Sequence, residues 1–294
     1  MDEKLLKHLA HACSEAGALL LDFRRRGVVP AYKAGMELLT EADTASEELL
    51  SRTLGRLMPG VPFVGEEGFA GPLPEPPFWI ADPLDGTNNY AFDFPFYCVS
   101  AAFVDESGPR LCCTFDPVRN ESFTAIRGEG AFLNGGRARC LEASSLSDAL
   151  MATGFPYMRT PENINTDLGV LAHFLGFARG IRRSGSAALD LAYTACGRLG
   201  AYWEKTLRPW DMAAGALLVR EAGGVVGAYE GGEWELSSAG VCASAPRLWA
   251  ALREGIGKGA PQGRPSPNRN RLEPEVHSGR EGVDGVTRIV THGL

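Results

Sequence analysis

The first sixty residues contain two stretches in which apolar side chains recur at helical spacing. The first stretch runs from Leu5 to Phe23, and Gly27 marks its end. In the second stretch leucines recur at three- and four-residue intervals, Asp43 is a candidate N-cap, and Pro59 follows the last apolar position. The pattern therefore predicts two amphipathic helices before the first strand.

Short apolar runs rich in β-branched and aromatic residues follow, and Gly108-Pro109 and Asp116-Pro117 read as turns between them. The second half of the chain mixes helical and strand patterns. The predicted strands are 61–64, 78–81, 97–104, 110–115, 122–126, 201–204, 225–229 and 241–245, and the predicted helices of the second half are 161–178, 187–199, 212–222 and 246–254.

A first half rich in strands and a mixed second half predict an α+β or layered α/β fold. We place the N-terminal half at 1–145 and the C-terminal half at 146–256. Residues 257–294 are rich in Gly, Pro, Arg and Asn and have few large apolar side chains. Such a segment cannot bury enough surface to offset its ordering entropy, so we predict a disordered tail outside the folded body.

The composition of the chain indicates which kinds of partner are expected. The net charge is −7 and 45% of the residues are apolar, so a sizeable core is expected and nucleic acid is not an expected partner. No apolar run reaches the roughly 18–20 residues that span a bilayer, so no membrane association is expected. The seven cysteines form no C-x-x-C pair, which favours free thiols and a cytoplasmic location.

Two acidic clusters follow predicted strands. Glu66 and Glu67 lie between two glycines directly after the first strand, although an acidic turn alone has this appearance. In the second cluster an apolar strand leads to Asp82, and Asp85 follows three residues later in the string Asp-Pro-Leu-Asp-Gly-Thr. Two carboxylates around a proline bend, with the free Leu84 carbonyl, supply the oxygen ligands that a hard cation such as Mg²⁺ prefers.

The residues after Asp85 are of the kind that bind an anion. Gly86 and Thr87 begin a predicted helical turn, where free backbone N–H groups bind phosphate. A third acidic group, Asp211, starts an alanine-rich helix in the string Trp-Asp-Met-Ala-Ala-Gly. Taken alone, Asp211 has the ordinary interpretation of a helix cap.

Together, the order and spacing of Gly-Glu-Glu, Asp-Pro-Leu-Asp-Gly-Thr and Trp-Asp-x-Ala-Ala-Gly resemble the inositol monophosphatase family of lithium-sensitive, magnesium-dependent phosphatases. The resemblance covers roughly residues 5–254. It implies a layered α/β/α/β/α sandwich of the inositol monophosphatase and fructose-bisphosphatase type. It also implies that Glu66, Asp82 and the Leu84 carbonyl hold one magnesium ion, and that Asp82, Asp85 and Asp211 hold a second.

The resemblance extends to the catalytic groups and the substrate contacts. Gly86 and Thr87 would bind phosphate through backbone amides, and the Thr87 hydroxyl with Glu66 would orient the attacking water. Asp85 and Asp211 would also contact the substrate. Glu204 matches a carboxylate that binds a substrate hydroxyl, and the substrate loop would include Ser186 and Ala187.

The segment from Lys33 to Asp43 resembles the mobile loop of the family. Glu37 replaces the usual Asp, and the loop is one residue shorter. A third metal ion near Lys33, Glu37 and Asp43 therefore stays an open alternative to two ions. Asp43 also has the simpler interpretation of a helix cap.

The implied activity is hydrolysis of a small phosphate monoester, inositol-1-phosphate in particular, by a homodimer. Two alternatives on the same fold act on fructose 1,6-bisphosphate or histidinol phosphate, because fold alone does not fix a substrate. An alternative of another class is a regulatory or binding protein that retains the fold. Magnesium-dependent release of phosphate distinguishes this last alternative from the enzymes.

Overall fold

In the computed structural model, residues 2–27, 31–32, 38–156 and 160–259 are described. This part of the chain combines helices with strands, and most of the strands lie in its first half. The helices are α1 (Asp2–Arg26), α2 (Glu41–Leu57), α3 (Thr87–Ala91), α4 (Pro161–Leu175), α5 (Ala187–Ala195), α6 (Pro209–Glu221) and α7 (Trp249–Gly259). The strands of the first half are β1 (Ala31–Tyr32), β2 (Leu38–Leu39), β3 (Phe63–Gly65), β4 (Phe78–Asp85), β5 (Cys98–Asp105), β6 (Gly108–Asp116), β7 (Glu121–Ile126), β8 (Gly130–Leu133) and β9 (Gly136–Arg137).

The first half is built on a sheet of seven strands in the order β3-β4-β5-β6-β7-β8-β9. The β3–β4 pair is parallel, and the later pairs are antiparallel. Successive side chains of β4 alternate between two cores, as the two-residue period of a strand requires. Trp79 packs with α1 and α2, whereas Phe78 and Ile80 pack on the opposite face with α6.

The second half is built on a sheet of five strands, which has parallel pairs at one side and antiparallel pairs at the other. Its order is β11-β10-β12-β14-β13. Helices α5 and α6 pack between the two sheets, and α4 and α7 cover the outer face of the second sheet. The layers are therefore α/β/α/β/α, which confirms the predicted fold class. The strands of this sheet are β10 (Leu150–Thr153), β11 (Gly180–Arg182), β12 (Ala201–Lys205), β13 (Val225–Ala228) and β14 (Gly240–Ser244).

The predicted end of the second strand at Ala81 is wrong, because β4 continues through Pro83 to Asp85. Proline lacks the N–H that a regular ladder requires. Here the ladder is interrupted at that point, since Asp82 pairs with Ser100 but the next paired residue is Asp85. Pro83 lies inside this shift of register and leaves no donor unsatisfied.

Helix α2 begins earlier than the pattern predicts. Its N-cap is Thr40, and Asp43 is the third helical residue, where its carboxylate accepts from the Thr40 backbone N–H at 2.8 Å. This reciprocal arrangement is a capping box. The prediction that Asp43 itself is the N-cap is therefore wrong, although its capping role is confirmed.

The other boundaries differ by a few residues. Helix α4 ends at Leu175 and α5 at Ala195, and a glycine in the left-handed region, Gly197 (φ 79°), follows α5. Gly108 and Pro109 begin strand β6 and do not form a separate turn. The pattern missed β8 to β11, since these strands are two to four residues long and too short for a periodic signal.

The predicted tail begins too early, because α7 continues to Gly259. Gly259 packs against the backbone of Gly169 and Val170 in α4, where a Cβ on either glycine would collide. The absence of side chains at these positions lets α4 and α7 approach closely. Residues 260–294, which make up the rest of the predicted tail, lie outside the described residues. Within the described ranges, no helix combines the length and the hydrophobicity that a bilayer crossing requires.

Candidate active site

Three carboxylates from distant parts of the sequence converge at one edge of the first sheet. Glu66 follows β3, Asp82 lies in β4, and Asp211 lies in the first turn of α6. Each offers a ligand oxygen, and the three oxygens lie within 4.8 Å of one another. Because β3 and β4 are parallel neighbours, their carboxyl ends meet at the same edge, and α6 brings the third group to it.

Burial and mutual repulsion act on this cluster. Burial raises the pKa of Asp82 well above its usual range, and the charges of Glu66, Asp85 and Asp211 raise it further. Burial and the charges of Glu66 and Asp85 likewise raise the pKa of Asp211. A divalent cation would relieve this repulsion, since it supplies opposite charge to a set of oxygen ligands. The donor set therefore fits a hard cation such as Mg²⁺.

Asp85 is held differently from the other acidic groups. Its Oδ2 accepts one hydrogen bond from the Ser186 hydroxyl and one from the Ala188 backbone N–H, each at 2.6 Å. Burial raises the pKa of Asp85, while these hydrogen bonds act to lower it. Asp85 belongs to the first half of the chain and its donors belong to the start of α5, so these bonds cross between the halves.

The two glycines around Glu66 and Glu67 leave space for another carboxylate, Glu47 of α2. Glu47 accepts from the Glu67 backbone N–H at 2.8 Å. A Cβ on Gly65 would collide with this carboxylate, and one on Gly68 would lie 2.7 Å from its Oε1. The glycines therefore allow Glu47 to hold the loop that carries Glu66. The helical pattern gave no sign of this contact.

Thr87 lies between the acidic cluster and α2. Its hydroxyl lies 3.0 Å from both the Asp43 Oδ1 and the Leu84 carbonyl oxygen. Asp43 is buried and also accepts from the Thr40 hydroxyl at 2.5 Å. Burial raises the pKa of Asp43, and the hydrogen bonds from Thr40 and Thr87 act to lower it. Sequence reasoning identified Asp43 but missed its contact with Thr87, since the two residues are 44 positions apart.

Gly86 precedes α3 and has a left-handed conformation (φ 96°). A Cβ there would also lie 3.0 Å from the Phe96 carbonyl oxygen, so the position favours glycine for two reasons. This geometry starts α3 directly after Asp85, as predicted. The first amides of α3 therefore lie beside the acidic cluster, where a phosphate held by cations could reach them.

Asp211 has two possible functions that do not exclude each other. Its Oδ2 accepts from the Arg208 backbone N–H at 2.8 Å, which caps α6. The capping interpretation of the sequence is therefore correct. The same carboxylate also offers a ligand oxygen to the cluster with Glu66 and Asp82. Capping fixes the side chain in the position that the cluster requires.

Three of the predicted substrate contacts, Ser186, Ala187 and Glu204, lie in the second half beyond the acidic cluster. Glu204 in β12 accepts from the Tyr202 hydroxyl, and burial raises the pKa of Glu204 to about 7. A Cβ on Gly154 would collide with the Glu204 carboxylate, so the glycine leaves space for it. Ser186 is the buried N-cap of α5, and Ala187 is the first residue of that helix.

Two further polar residues near this segment escaped the sequence reasoning. Buried Asp190 accepts from the Ser184 hydroxyl at 2.6 Å. The Asn89 amide donates to the Ser184 carbonyl at 2.8 Å and to the Phe96 carbonyl at 2.6 Å. The Asn89 amide thereby ties α3 to the loop before α5. Of the three residues suggested for another metal ion, Lys33 and Glu37 lie outside the described residues.

Comparisons with known proteins agree with this geometry. The model of the inositol monophosphatase family matches residues 1–258. A Nus factor SuhB from Pseudomonas aeruginosa is 39% identical over 256 residues, covering 85% of this chain and 94% of that protein. An inositol-1-monophosphatase from Synechocystis is 38% identical over 223 residues, covering 75% of this chain and 77% of that protein.

A solved structure shows the same fold. The extragenic suppressor protein suhB from Bartonella henselae superimposes with a TM-score of 0.81 at 34% identity, covering 87% of this chain and 99% of that one. The family match, the relatives and the fold all confirm the resemblance drawn from the three acidic motifs. The chain belongs to the inositol monophosphatase family.

Proposed function

We propose that this chain is a magnesium-dependent phosphoric monoester hydrolase and that inositol-1-phosphate is its substrate. The observation that carries the proposal is the convergence of Glu66, Asp82 and Asp211 within 4.8 Å. Glu66, Asp82 and the Leu84 carbonyl would hold one magnesium ion, and Asp82, Asp85 and Asp211 would hold the second. Bound magnesium supplies charge neutralisation for the phosphate and lowers the pKa of water.

The protein groups of this mechanism position the reactants. The amides of Gly86 and Thr87 bind the phosphate oxygens, and the Thr87 hydroxyl with Glu66 orients the attacking water. The hydrogen bond between Thr87 and buried Asp43 fixes the direction of that hydroxyl. Little covalent chemistry is required of a protein in phosphoryl transfer, so positioning and charge account for most of the rate enhancement.

The proposed contacts to the alcohol part of the ester come mostly from the second half, and Asp85 comes from the first. The Glu204 carboxylate accepts a hydrogen bond from a substrate hydroxyl, and Asp85, Asp211 and the segment Ser186-Ala187 line the same side. A polyol phosphate suits this arrangement, because it offers several hydroxyl groups to carboxylate acceptors. This polarity supports inositol-1-phosphate as the substrate.

The test is phosphate release from a panel containing inositol-1-phosphate, fructose 1,6-bisphosphate, histidinol phosphate and about ten other monoesters. We expect turnover only with added Mg²⁺, the highest kcat/KM on inositol-1-phosphate, and uncompetitive inhibition by lithium. Asp82→Asn serves as the inactive reference. A higher kcat/KM on another ester would reject the substrate, and metal-independent turnover would reject the mechanism.

A second candidate function comes from the names of relatives that are 37–44% identical to this chain and are called Nus factor SuhB. A role in the transcription machinery would suit the predicted alternative of a regulatory or binding protein. Affinity purification of the tagged full-length chain from its own cells would test it. Recovery of transcription proteins by both the wild type and Asp82→Asn would support a role independent of turnover.

The oligomeric state and location are also proposals. We propose a homodimer, supported by three exposed apolar residues on one face of α4, namely Ile164, Leu168 and Leu175. Sedimentation of Leu168→Asp beside the wild type tests this face, and an unchanged dimer would exclude it. We propose a cytoplasmic location because all seven cysteines, each within the described residues, are free thiols.

A further inference from the structure

The Ser186 hydroxyl makes a contact that its expected place in a substrate loop does not explain. It donates to Asp85 Oδ2 at 2.6 Å, and the Ala188 N–H donates to the same oxygen at 2.6 Å. Ser186 is only 2% exposed, so this hydroxyl points into the protein and away from solvent. A buried hydroxyl that is bonded to Asp85 therefore has a role beyond any contact of this segment with the substrate.

The surroundings of this bond restrict the Asp85 side chain further. The Cys98 Sγ lies 3.7 Å from the Ser186 Oγ and 4.0 Å from Asp85 Oδ2, and Cys98 is the cross-strand partner of Asp85. One carboxylate oxygen is therefore surrounded by two donors and a buried thiol. The charge of Asp85 raises the pKa of both Asp82 and Asp211, so its carboxylate lies close enough to act on the acidic cluster.

We propose that Ser186 is a positioning residue that fixes the Asp85 carboxylate so that one oxygen is presented to the metal ion shared with Asp82 and Asp211. The inference rests on the proposed function, because it gives Asp85 a metal to bind. Hydrogen-bond partners of metal ligands orient those ligands and raise their effective affinity. The Ser186 hydroxyl thereby couples the second half of the chain to a ligand of the proposed metal ion that belongs to the first half.

A purely structural role for Ser186 makes a different prediction. Ser186 is also the N-cap of α5 and accepts from the Leu189 N–H at 3.4 Å. Glycine retains most of the stability of a serine N-cap, whereas alanine loses most of it. Ser186→Gly therefore removes the hydroxyl with little loss of capping, and Ser186→Thr retains both the hydroxyl and the cap.

The experiment measures Mn²⁺ binding to the full, phosphate-free chain by electron paramagnetic resonance of the free ion. Mn²⁺ uses the same oxygen ligands as Mg²⁺. We expect Ser186→Gly to weaken one binding step by about 10- to 100-fold, the usual effect of removing a partner of a metal ligand. Ser186→Thr should bind like the wild type. The control Thr194→Val removes a hydroxyl of α5 that donates to the Asp190 carbonyl instead, and it should also bind like the wild type.

A double-mutant cycle with Asp85→Asn completes the test. If Ser186 acts through Asp85, the double variant binds Mn²⁺ no more weakly than Asp85→Asn alone. Additive losses, wild-type binding by Ser186→Gly, or a defect in Ser186→Thr equal to that of Ser186→Gly would each overturn the proposal. Because no ester is present, an enzyme without activity on every ester tested would leave this result unaffected.

Discussion

The two sides of the candidate site are built in different ways. On the metal side, Glu66, Asp82 and Asp211 crowd their oxygens within 4.8 Å at the edge of the seven-stranded sheet. On the substrate side, Glu204 and Asp190 lie on separate elements of the second half, and each accepts from a nearby hydroxyl. The metal side thus concentrates charge, whereas the substrate side distributes polar groups.

The two sides therefore differ in what stabilises their polar groups. Crowded carboxylates repel one another, and a bound cation would relieve that repulsion. On the substrate side, Glu204 and Asp190 each accept from a hydroxyl of the protein, and Glu204 acts on the cluster through its charge, which raises the pKa of Asp211. Substitution of Glu204 should therefore affect substrate binding more than metal binding.

The largest effect is expected for Asp82→Asn on the metal side. We expect turnover to fall by about 1,000-fold, because a bound metal contributes several kcal/mol of transition-state stabilisation. At the same time, the metal-free variant should melt at a higher temperature than the metal-free wild type at pH 7.5. The reason is that burial and neighbouring carboxylates raise the pKa of Asp82.

The sign of this stability effect depends on pH. The pKa of Asp82 is higher in the folded state than in the unfolded state. The folded state therefore keeps the proton up to a higher pH, and the free energy of unfolding falls as pH rises above about 4. Melting in EDTA at pH 4 should show little difference between variant and wild type. Asp105→Asn is a control with the opposite expected sign. Burial raises the pKa of Asp105, but the hydrogen bonds from Arg127 act more strongly and lower the pKa overall, so this variant should melt at a lower temperature than the wild type at pH 7.5. A destabilised Asp82→Asn at pH 7.5 contradicts the prediction.

The next largest effect is expected for Glu47→Ala, which breaks the support of the loop carrying Glu66. We expect metal affinity to fall by about 10- to 100-fold, since Glu47 accepts from the Glu67 N–H and fixes that loop. Mn²⁺ titration measures the loss. The exposed neighbour Glu48→Ala is the control, and equal affinities in these two variants would show that Glu47 has no positioning role.

A smaller effect, confined to the substrate side, is expected for Glu204→Gln. Because burial raises the pKa of Glu204 to about 7, its carboxylate accepts a substrate hydroxyl fully only above that pH. The KM of the wild type for inositol-1-phosphate should therefore rise as pH falls from 8 to 6. The variant should have a KM about tenfold higher at pH 8, the usual cost of losing a hydrogen bond to a charged group.

The phosphate group of the ester also changes its charge near pH 6, so the pH profile of the variant is needed to separate this effect from the titration of Glu204. Both enzymes experience the titration of the ester, and only the wild type has the Glu204 titration. Mn²⁺ affinity should be the same in both. Parallel pH profiles of KM in wild type and variant would show that Glu204 does not bind the substrate.

The smallest effect is expected for a chain that ends at Gly259, which removes residues 260–294 of the predicted tail. The family match ends at residue 258, and the removed segment has few large apolar residues. Turnover and melting temperature should remain unchanged. A chain that ends at residue 256 should melt a few degrees lower, since it loses the packing of Gly259 on α4. If the chain that ends at Gly259 melts at a lower temperature than the full-length chain, the tail stabilises the body.

The convergence of the acidic cluster was easier to predict from the sequence than the contacts between the halves, for a physical reason. Asp82, Asp85, Gly86 and Thr87 lie in one short string whose backbone geometry is largely local, and Asp211 follows a proline at a helix start. Glu47 and Asp43 contact the site through packing of α2, which no short-range pattern reveals. The most regular helices were predicted well, while the short strands from β8 to β11 depended on pairing across the sheet and were missed.

The position of Asp211 has a consequence for how the protein is made. Glu66 and Asp82 are synthesised early, but their third partner arrives only with α6, late in the second half. A ribosome-bound chain that lacks α6 therefore carries an incomplete ligand set, even if its first sheet has formed. At the proposed metal site, high-affinity capture would begin only when both halves are present, so a bound ion would mark a chain whose folded body is nearly complete.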